Sequence, residues 1–296
     1  MAFAHGVSIQ IGKGGVGKTS LACNFAGVSA TRGLRVLLVD LDPQNNTARD
    51  LGYEPQDGTA FIDAIINGTT MPVLSNVRDG LDVVASGAKL EQIQAHAMTW
   101  FMNQEASFPE RLEQSLAPIA DGYDLIVFDT PPGNQTLYGA ALEVSKFVVI
   151  PTAGDEASLD GVALVAERFV KVKSKNPELT LSGIVLFGTD ARARRVNAEL
   201  NDRLQDMLEG VAPIFENRIR NAKSASVDAR KHGLLAHELA NATAQLQKDR
   251  IKALRQGTVS PDLLFSRNSS GLAEDYVKLT DEILEQIGMG EDVRHG

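Results

Sequence analysis

The eight residues from Gly12 to Thr19 constrain the fold of this chain more than any other part of its sequence. They are Gly-Lys-Gly-Gly-Val-Gly-Lys-Thr, which fits the P-loop pattern G-x-x-x-x-G-K-[ST]. The apolar stretch Val7–Ile11 predicts a strand before them, and Lys18–Thr31 predicts a helix after them. Such a glycine-rich turn lets backbone N–H groups surround phosphate oxygens, and the helix N-terminus adds positive potential. The chain is therefore predicted to bind a nucleotide.

The positions of the loop have separate predicted roles. Lys18 is expected to contact the β- and γ-phosphates, and the Thr19 hydroxyl is expected to bind Mg²⁺. ATP and Mg²⁺ are therefore the predicted ligands. The residues predicted to bind the nucleotide are Gly14, Gly15, Val16, Gly17, Lys18, Thr19 and Ser20.

Two acidic segments at the ends of predicted strands complete the site. Asp124–Asp129 (DLIVFD) has the Walker B pattern of apolar residues followed by a carboxylate, and that carboxylate is Asp129. Asp40 and Asp42 lie at the end of the apolar stretch Arg35–Asp40, and alternation along a strand directs both carboxylates to one side. Both are therefore candidates for the chemistry at the phosphates.

The remaining pattern predicts a doubly wound α/β fold, with a mostly parallel sheet flanked by helices. Short, continuously apolar stretches alternate with helical patterns, which is typical of a parallel sheet covered on both faces. Further strands are predicted at Leu81–Ala85, Phe147–Pro151 and Leu181–Phe187, with a weak one at Val211–Phe215. Ligands of such sheets bind beyond the carboxyl ends of the strands, where the polar groups described above occur.

A single domain spanning residues 1–296 is predicted. Residues 238–267 differ from the rest, because a polar stretch rich in Ala, Gln and Lys is followed by one rich in Gly, Ser, Pro and Asn. They are predicted to be a helical and loop insertion. Residues 271–288 are predicted to form a C-terminal helix that packs on the sheet, and their acidic character disfavours a helix bound to a membrane surface.

Composition excludes several classes of protein. The net charge of -9 argues against a simple basic nucleic-acid binder, although it leaves room for a local basic patch. A single cysteine, Cys23, excludes an intramolecular disulfide and a zinc or iron–sulfur site built from cysteines of one chain. No stretch approaches the roughly 18–20 apolar residues of a membrane span. The N-terminus carries no early Lys or Arg, unlike a signal peptide. We therefore expect a cytoplasmic protein with no membrane partner.

The motifs resemble those of the ParA/MinD group of P-loop ATPases, which have a deviant Walker A motif. Lys13 lies inside the loop and gives KGGVGKT, which is similar to that motif. Arg35–Gln44 (RVLLVDLDPQ) and Tyr123–Gly133 (YDLIVFDTPPG) resemble, more narrowly, the ParA/Soj partition ATPases. The resemblance spans residues 6–235 and resumes near Gly271.

The resemblance implies an ATP hydrolase that closes into a homodimer around two ATP molecules. Lys13 would reach the phosphates of the nucleotide in the partner subunit, while Lys18 holds those of its own. Asp129 would bind Mg²⁺ through water. Asp42 would orient the attacking water, and Asp40 would act behind it or on a metal-bound water. Hydrolysis of ATP to ADP and phosphate is expected to be slow and to be stimulated by a partner.

The resemblance also implies that the ATP-bound dimer binds double-stranded DNA without sequence preference and associates with the nucleoid. A ParB-like or centromere-binding adaptor on the cargo would stimulate hydrolysis and release the dimer. The implied function is segregation or positioning of plasmid or chromosome DNA. The basic residues that match the DNA-binding positions of the family are Arg192, Arg194, Arg195, Arg218, Arg220 and Lys223.

Other functions stay open at this point. A ParA-like ATPase that positions a protein cargo would need the same nucleotide site, as would a scaffold that binds ATP without hydrolysing it. A MinD-like membrane-cycling ATPase fits less well, because it needs a basic amphipathic C-terminal helix. The sequence also departs from the pattern of the family. Gly12 replaces a usual Gln, and Asn45-Asn46 replaces a usual Gly-Asn.

Overall fold

Eight β-strands form one sheet in the computed structural model, which describes residues 2–10, 17–153, 156–189, 194–208, 212–256 and 269–290. In chain order the strands are β1 (Phe3–Ile9), β2 (Val36–Asp40), β3 (Leu74–Arg78), β4 (Leu81–Val84), β5 (Leu125–Asp129), β6 (Ser145–Ala153), β7 (Thr180–Thr189) and β8 (Ile219–Arg220). Their order across the sheet is β3-β4-β2-β5-β1-β6-β7-β8. All neighbouring pairs are parallel except β3–β4, which is antiparallel. The predicted doubly wound, mostly parallel sheet is confirmed.

Helices cover both faces of this sheet. One face packs against α1, α2 and α9–α11, and the other packs against α3–α8. A short 3₁₀ helix, Ala88–Gln92, precedes α4. In chain order the α-helices of the described residues are α1 (Lys18–Thr31), α2 (Asn46–Leu51), α3 (Thr59–Asn67), α4 (Ile93–Met102), α5 (Phe108–Ala120), α6 (Gln135–Val144), α7 (Glu156–Lys173), α8 (Arg194–Leu208), α9 (Lys223–His232), α10 (Ala236–Gln256) and α11 (Ser269–Gln286).

The central strands are buried on both faces, which explains their continuous apolar sequence. Every residue of β2 and β5 is buried. Val36 and Leu38 point into the core beneath α1 and α11, whereas Leu37 and Val39 point into the core beneath α3 and α5. Burying each such side chain contributes about 1.5–3 kcal/mol to the free energy of folding. The alternation therefore fixes which face each residue of the strand occupies.

One predicted strand is wrong, and others have different ends. The strand predicted at Val211–Phe215 is replaced by a single bridge between Ile184 and Ile214, and the edge strand is β8 instead. Pro213 lacks the backbone N–H that a longer ladder requires. Strand β1 begins at Phe3, four residues before its predicted start.

The C-terminal part of the chain contributes to the core. Helix α11 buries Leu272, Tyr276, Leu279 and Ile283 against the sheet and α1, as expected for a helix packed on the sheet. Residues 238–256 of the predicted insertion belong to α10, which begins at Ala236, and residues 257–267 lie outside the described part. None of the described helices has both the length and the apolar character needed to cross a bilayer.

Candidate nucleotide-binding site

The carboxyl ends of β1, β2 and β5 bring the predicted acidic residues and the start of α1 to one edge of the sheet. Asp129, the last residue of β5, pairs in register with Asp40 on one side and with Ile9 on the other. Helix α1 begins at Lys18, so that Lys18 and Thr19 of the P-loop motif lie in its first turn. The loop residues Lys13, Gly14, Gly15 and Val16 lie outside the described part of the chain.

Gly17, the residue directly before α1, cannot be replaced by another residue without strain. Its backbone is left-handed, with φ of 93°, and a Cβ atom at this position would lie 2.9 Å from the ring of Phe187 on β7. Its carbonyl accepts the first helical hydrogen bond, from the N–H of Leu21 at 2.8 Å. Glycine is therefore required both by the backbone conformation and by the packing.

Asp129 is a buried carboxylate without a hydrogen-bond donor in the described part of the chain. Both of its oxygens are inaccessible, and neither accepts a hydrogen bond of ordinary geometry from a described residue. Burial raises the pKa of Asp129 to about 6, and the nearby charge of Lys18 and the nearby Thr19 hydroxyl partly oppose this rise. An isolated buried carboxylate is costly, so it fits a site that a cation completes. Oxygen atoms from Asp129 and Thr19 are the ligands that Mg²⁺ prefers.

Asp40 is buried beside Asp129, but both of its oxygens have donors. The N–H of Asp42 donates to Oδ1 at 2.8 Å, and the hydroxyl of Thr47 donates to Oδ2 at 2.5 Å. Burial and the charge of Asp129 raise the pKa of Asp40 well above its usual range, and these two hydrogen bonds oppose the rise. Asp40 therefore fixes the position of the segment that follows β2, through these two hydrogen bonds.

Asp42 is almost fully buried at the beginning of this segment. Its Oδ1 accepts a hydrogen bond from the N–H of Gln44 at 3.0 Å. Its backbone carbonyl accepts hydrogen bonds from the hydroxyl of Ser86 at 2.5 Å and from the N–H of Asn45 at 2.9 Å. The fold thus fixes the backbone of Asp42 from two directions, one of them a loop 44 residues away in the chain.

Tyr53 was not predicted as part of the site, yet it closes a network around Asp40. Its hydroxyl lies 2.5 Å from the Thr47 hydroxyl and donates to Oδ1 of Asn45 at 3.1 Å. Burial, reinforced by the charge of Asp40, raises the pKa of Tyr53 well above its usual value. The phenol therefore stays neutral and can act as a donor. Only the spatial arrangement shows this role, since Tyr53 is 13 residues from Asp40 in the sequence.

Ser20, predicted to bind the nucleotide, has its hydroxyl in a second network. It donates to Oδ2 of Asp50 on α2 at 2.9 Å and accepts from Nη2 of Arg230 on α9 at 3.1 Å. Nε of Arg230 also donates to Oδ1 of Asp50 at 2.9 Å, and Asp50 is buried. The first turn of α1, helix α2 and helix α9 are therefore joined through three side chains.

The predicted DNA-binding residues lie in two places. Arg218, Arg220 and Lys223 lie together where β8 leads into α9, and Lys223 is exposed. The exposed guanidinium of Arg220 is paired with Asp275 of α11 through hydrogen bonds of 2.7 and 2.6 Å. Arg194 and Arg195 begin α8 on the opposite face of the sheet, with their side chains outside the described part. Arg192 lies wholly outside it.

Comparisons with known proteins support a nucleotide-binding fold. A family model described as an AAA domain, AAA_31, matches residues 4–181, which is more than half of the chain. The chromosome-partitioning ATPase Soj of Thermus thermophilus is 34% identical over 143 residues, which cover 48% of this chain and 52% of that protein. The chain thus spans about half the length of the curated relatives it matches.

Two solved structures share the fold over almost the whole chain. Apo McdA from Cyanothece has a TM-score of 0.71 and 16% identity, and the match covers 95% of this chain and 98% of that one. The septum site-determining protein MinD of Pyrococcus horikoshii, complexed with Mg-ADP, has a TM-score of 0.65 and 18% identity, and the match covers 96% of this chain and 97% of that one.

Proposed function

Because the chain belongs to the AAA_31 family of AAA domains and is a P-loop ATPase of the ParA/Soj type, we propose that it binds and hydrolyses Mg²⁺·ATP at the carboxyl ends of β1, β2 and β5. The observation that carries this proposal is the buried carboxylate of Asp129, which has no hydrogen-bond donor among the described residues. It is paired in register with Asp40, and its pKa responds to the charge of Lys18 at the start of α1.

The residues around Asp129 would each have a separate role in phosphoryl transfer. Lys18 would hold the phosphates, while Thr19 and a water bound by Asp129 would hold Mg²⁺. Bound Mg²⁺ would supply positive charge to the phosphate oxygens. Asp42, with its backbone fixed by Ser86, would orient the attacking water. Lys13 would reach the nucleotide of a partner subunit in an ATP-bound homodimer.

We further propose that the ATP-bound dimer binds double-stranded DNA without sequence preference and positions DNA in the nucleoid of the cytoplasm. A ParB-like or centromere-binding adaptor would stimulate hydrolysis. The name of the Soj relative, a chromosome-partitioning ATPase, supports this role. So do Lys223 and Lys231, two exposed lysines of α9. Arg220 would contribute less than these lysines, because Asp275 already pairs with its charge.

Helix α9 is tied to the nucleotide site, which would let the nucleotide control DNA binding. Arg230 of α9 bonds both Ser20, next to Thr19, and Asp50 in the helix that follows Asp42. At the end of α9, Gly233 lies so close to Gly52 that a Cβ added at Gly233 would be 2.5 Å from the Cα of Gly52. A shift of the segment after Asp42 would therefore displace α9.

Binding to random-sequence duplex DNA with ATP-γ-S, with ADP and without nucleotide tests this function. We expect binding only with ATP-γ-S, an affinity that falls steeply with salt, and no ATP-γ-S effect in Lys18→Ala. Equal binding in all three states would contradict control by the nucleotide. The absence of binding in every state would contradict the DNA-binding role itself.

A ParA-like ATPase that positions a protein cargo is the second candidate. Helix α4 exposes an apolar patch whose members are 63–80% accessible: Met98, Phe101 and Met102. Contiguous exposed apolar surface is typical of protein-binding sites. ATP turnover without DNA binding in any nucleotide state would favour this candidate.

A further inference from the structure

Helix α10 has a packed first half and an exposed second half. Ala236 and Leu239 are buried in the core, and Thr243 accepts a hydrogen bond at 3.2 Å from Ser269 at the start of α11. Beyond Thr243, the side chains that the structure describes as far as residue 253 are exposed, except for Leu246 and Ala253, which are half-buried. We call residues 244–256 the α10 arm.

The α10 arm is basic although the chain as a whole is acidic. It contains four basic residues and one acidic residue, Asp249, against a net charge of -9 for the protein. Asp249 accepts a hydrogen bond from Gln245 at 3.2 Å. Within the described residues no ion pair involves the exposed side chains of Lys248, Arg250 or Lys252. No described residue therefore neutralises these three charges.

The arm begins beside the cations at the edge of the sheet. Thr243, at its base, bonds Ser269 of α11. Two residues further along α11, Gly271 packs against Arg220 so closely that a Cβ at this glycine would be 2.2 Å from Nη1. Arg220 in turn precedes Lys223, the first residue of α9. The arm therefore extends the surface proposed to bind DNA.

We propose that the α10 arm binds the phosphate backbone of duplex DNA, as a second contact beside α9. This inference rests on the DNA-binding function proposed above. A helix of this length spans about 20 Å, over which duplex DNA presents about a dozen phosphates. Lysine and arginine contacts to phosphates carry no base information, so the arm would raise affinity for all sequences alike.

The test uses two double variants of the full chain. Lys248→Gln/Lys252→Gln removes two exposed lysines of the arm, which are four residues apart in the sequence. The control, Lys171→Gln/Lys175→Gln, removes two lysines with the same spacing, one in the last turn of α7 and one just after it, on the opposite face of the sheet. Both control lysines are exposed and pair with Glu167 and Glu143. Binding to random-sequence duplex DNA with ATP-γ-S is titrated over salt for each variant and for the unmodified protein.

We expect the arm variant to bind about tenfold or more weakly at 0.1 M salt, with a log–log salt slope reduced by about 1.8. Its ATP-γ-S binding should be unchanged, and the control should match the unmodified protein. Equal affinities and slopes in the two variants would refute DNA binding by the arm, without contradicting DNA binding by α9. Failure of the unmodified protein to bind DNA would overturn the proposed function and the arm together. Binding of each protein to phosphatidylserine vesicles is measured as well. An arm variant that loses vesicle binding but binds DNA as tightly as the unmodified protein would also refute the proposed role of the arm.

Discussion

At the scale of single residues, burial of the ionised Asp129 carboxylate lowers the free energy of unfolding. Its pKa is about 6 in the folded protein because it is buried, against 3.8 for an ordinary Asp. Between these two pH values the folded state binds more protons than the unfolded state. The free energy of unfolding therefore falls as pH rises through this window. At neutral pH the cost is on the order of 2–3 kcal/mol, which bound Mg²⁺ would offset.

Replacing this carboxylate by an amide should stabilise the protein in the absence of metal. We expect Asp129→Asn to raise the melting temperature at pH 7.5 in EDTA and to flatten the loss of stability between pH 4 and 6. Asp124→Asn, at the residue directly before the same strand, is the control. Arg35 lowers the pKa of Asp124 through an exposed ion pair, so this change should be neutral or slightly destabilising. A less stable Asp129→Asn protein at pH 7.5 would refute the account of the buried charge.

Asn45 shows what could be predicted at this scale and what could not. The sequence shows Asn where the ParA family usually has Gly, and the structure gives Asn45 a left-handed backbone with φ of 46°. Asn is the residue that tolerates this region best after Gly, so the substitution keeps the turn. The contact with Tyr53 could not be predicted, because one sequence does not indicate which side chains meet across a turn.

At the scale of elements, the pair formed by Arg230 and Asp50 should matter more than exposed pairs. Arg230→Met would leave the buried Asp50 without its cation, and we expect a loss of about 1–3 kcal/mol, allowing for the partly exposed Arg230 side chain. The control is Arg32→Met, which breaks an exposed pair with Asp281 and should cost less than about 1 kcal/mol. Urea denaturation of both variants measures the difference. Equal losses would show that the link between α9 and the nucleotide site is not structurally important.

The elements that could be predicted from sequence are those with a strong apolar pattern. Strands β2 and β5 and helix α1 were predicted almost residue for residue, because each is buried along its length. Helices α4 and α9 were not predicted. Helix α9 buries only Ala225 among its residues, and α4 leaves Phe101 80% exposed, so neither has a continuous apolar face. Their positions depend on contacts with other elements, such as the stacking of Arg111 of α5 over Trp100 of α4 and the bond from Arg230 of α9 to Asp50, 180 residues away.

At the scale of the whole molecule, the ATP-bound state should be a dimer that hydrolysis dissolves. Asp42→Ala should bind ATP but turn it over slowly, because the attacking water would lose its acceptor. In light scattering with ATP and Mg²⁺, this variant should keep about twice the 31.8 kDa mass of the monomer after the unmodified protein has returned to its mass without ATP. Unchanged turnover in Asp42→Ala would refute the proposed role of Asp42 in orienting the attacking water.

All of these states depend on Mg²⁺·ATP binding beside Asp129, so the affinity for ATP-γ-S with Mg²⁺ and with EDTA is the measurement to make first. Calorimetry on the unmodified protein and on Asp129→Asn gives four affinities. We predict that Mg²⁺ strengthens ATP-γ-S binding to the unmodified protein at pH 7.5 and that this gain largely disappears in Asp129→Asn. Equal affinities of the unmodified protein with Mg²⁺ and with EDTA, or an undiminished gain in Asp129→Asn, would contradict the proposed site.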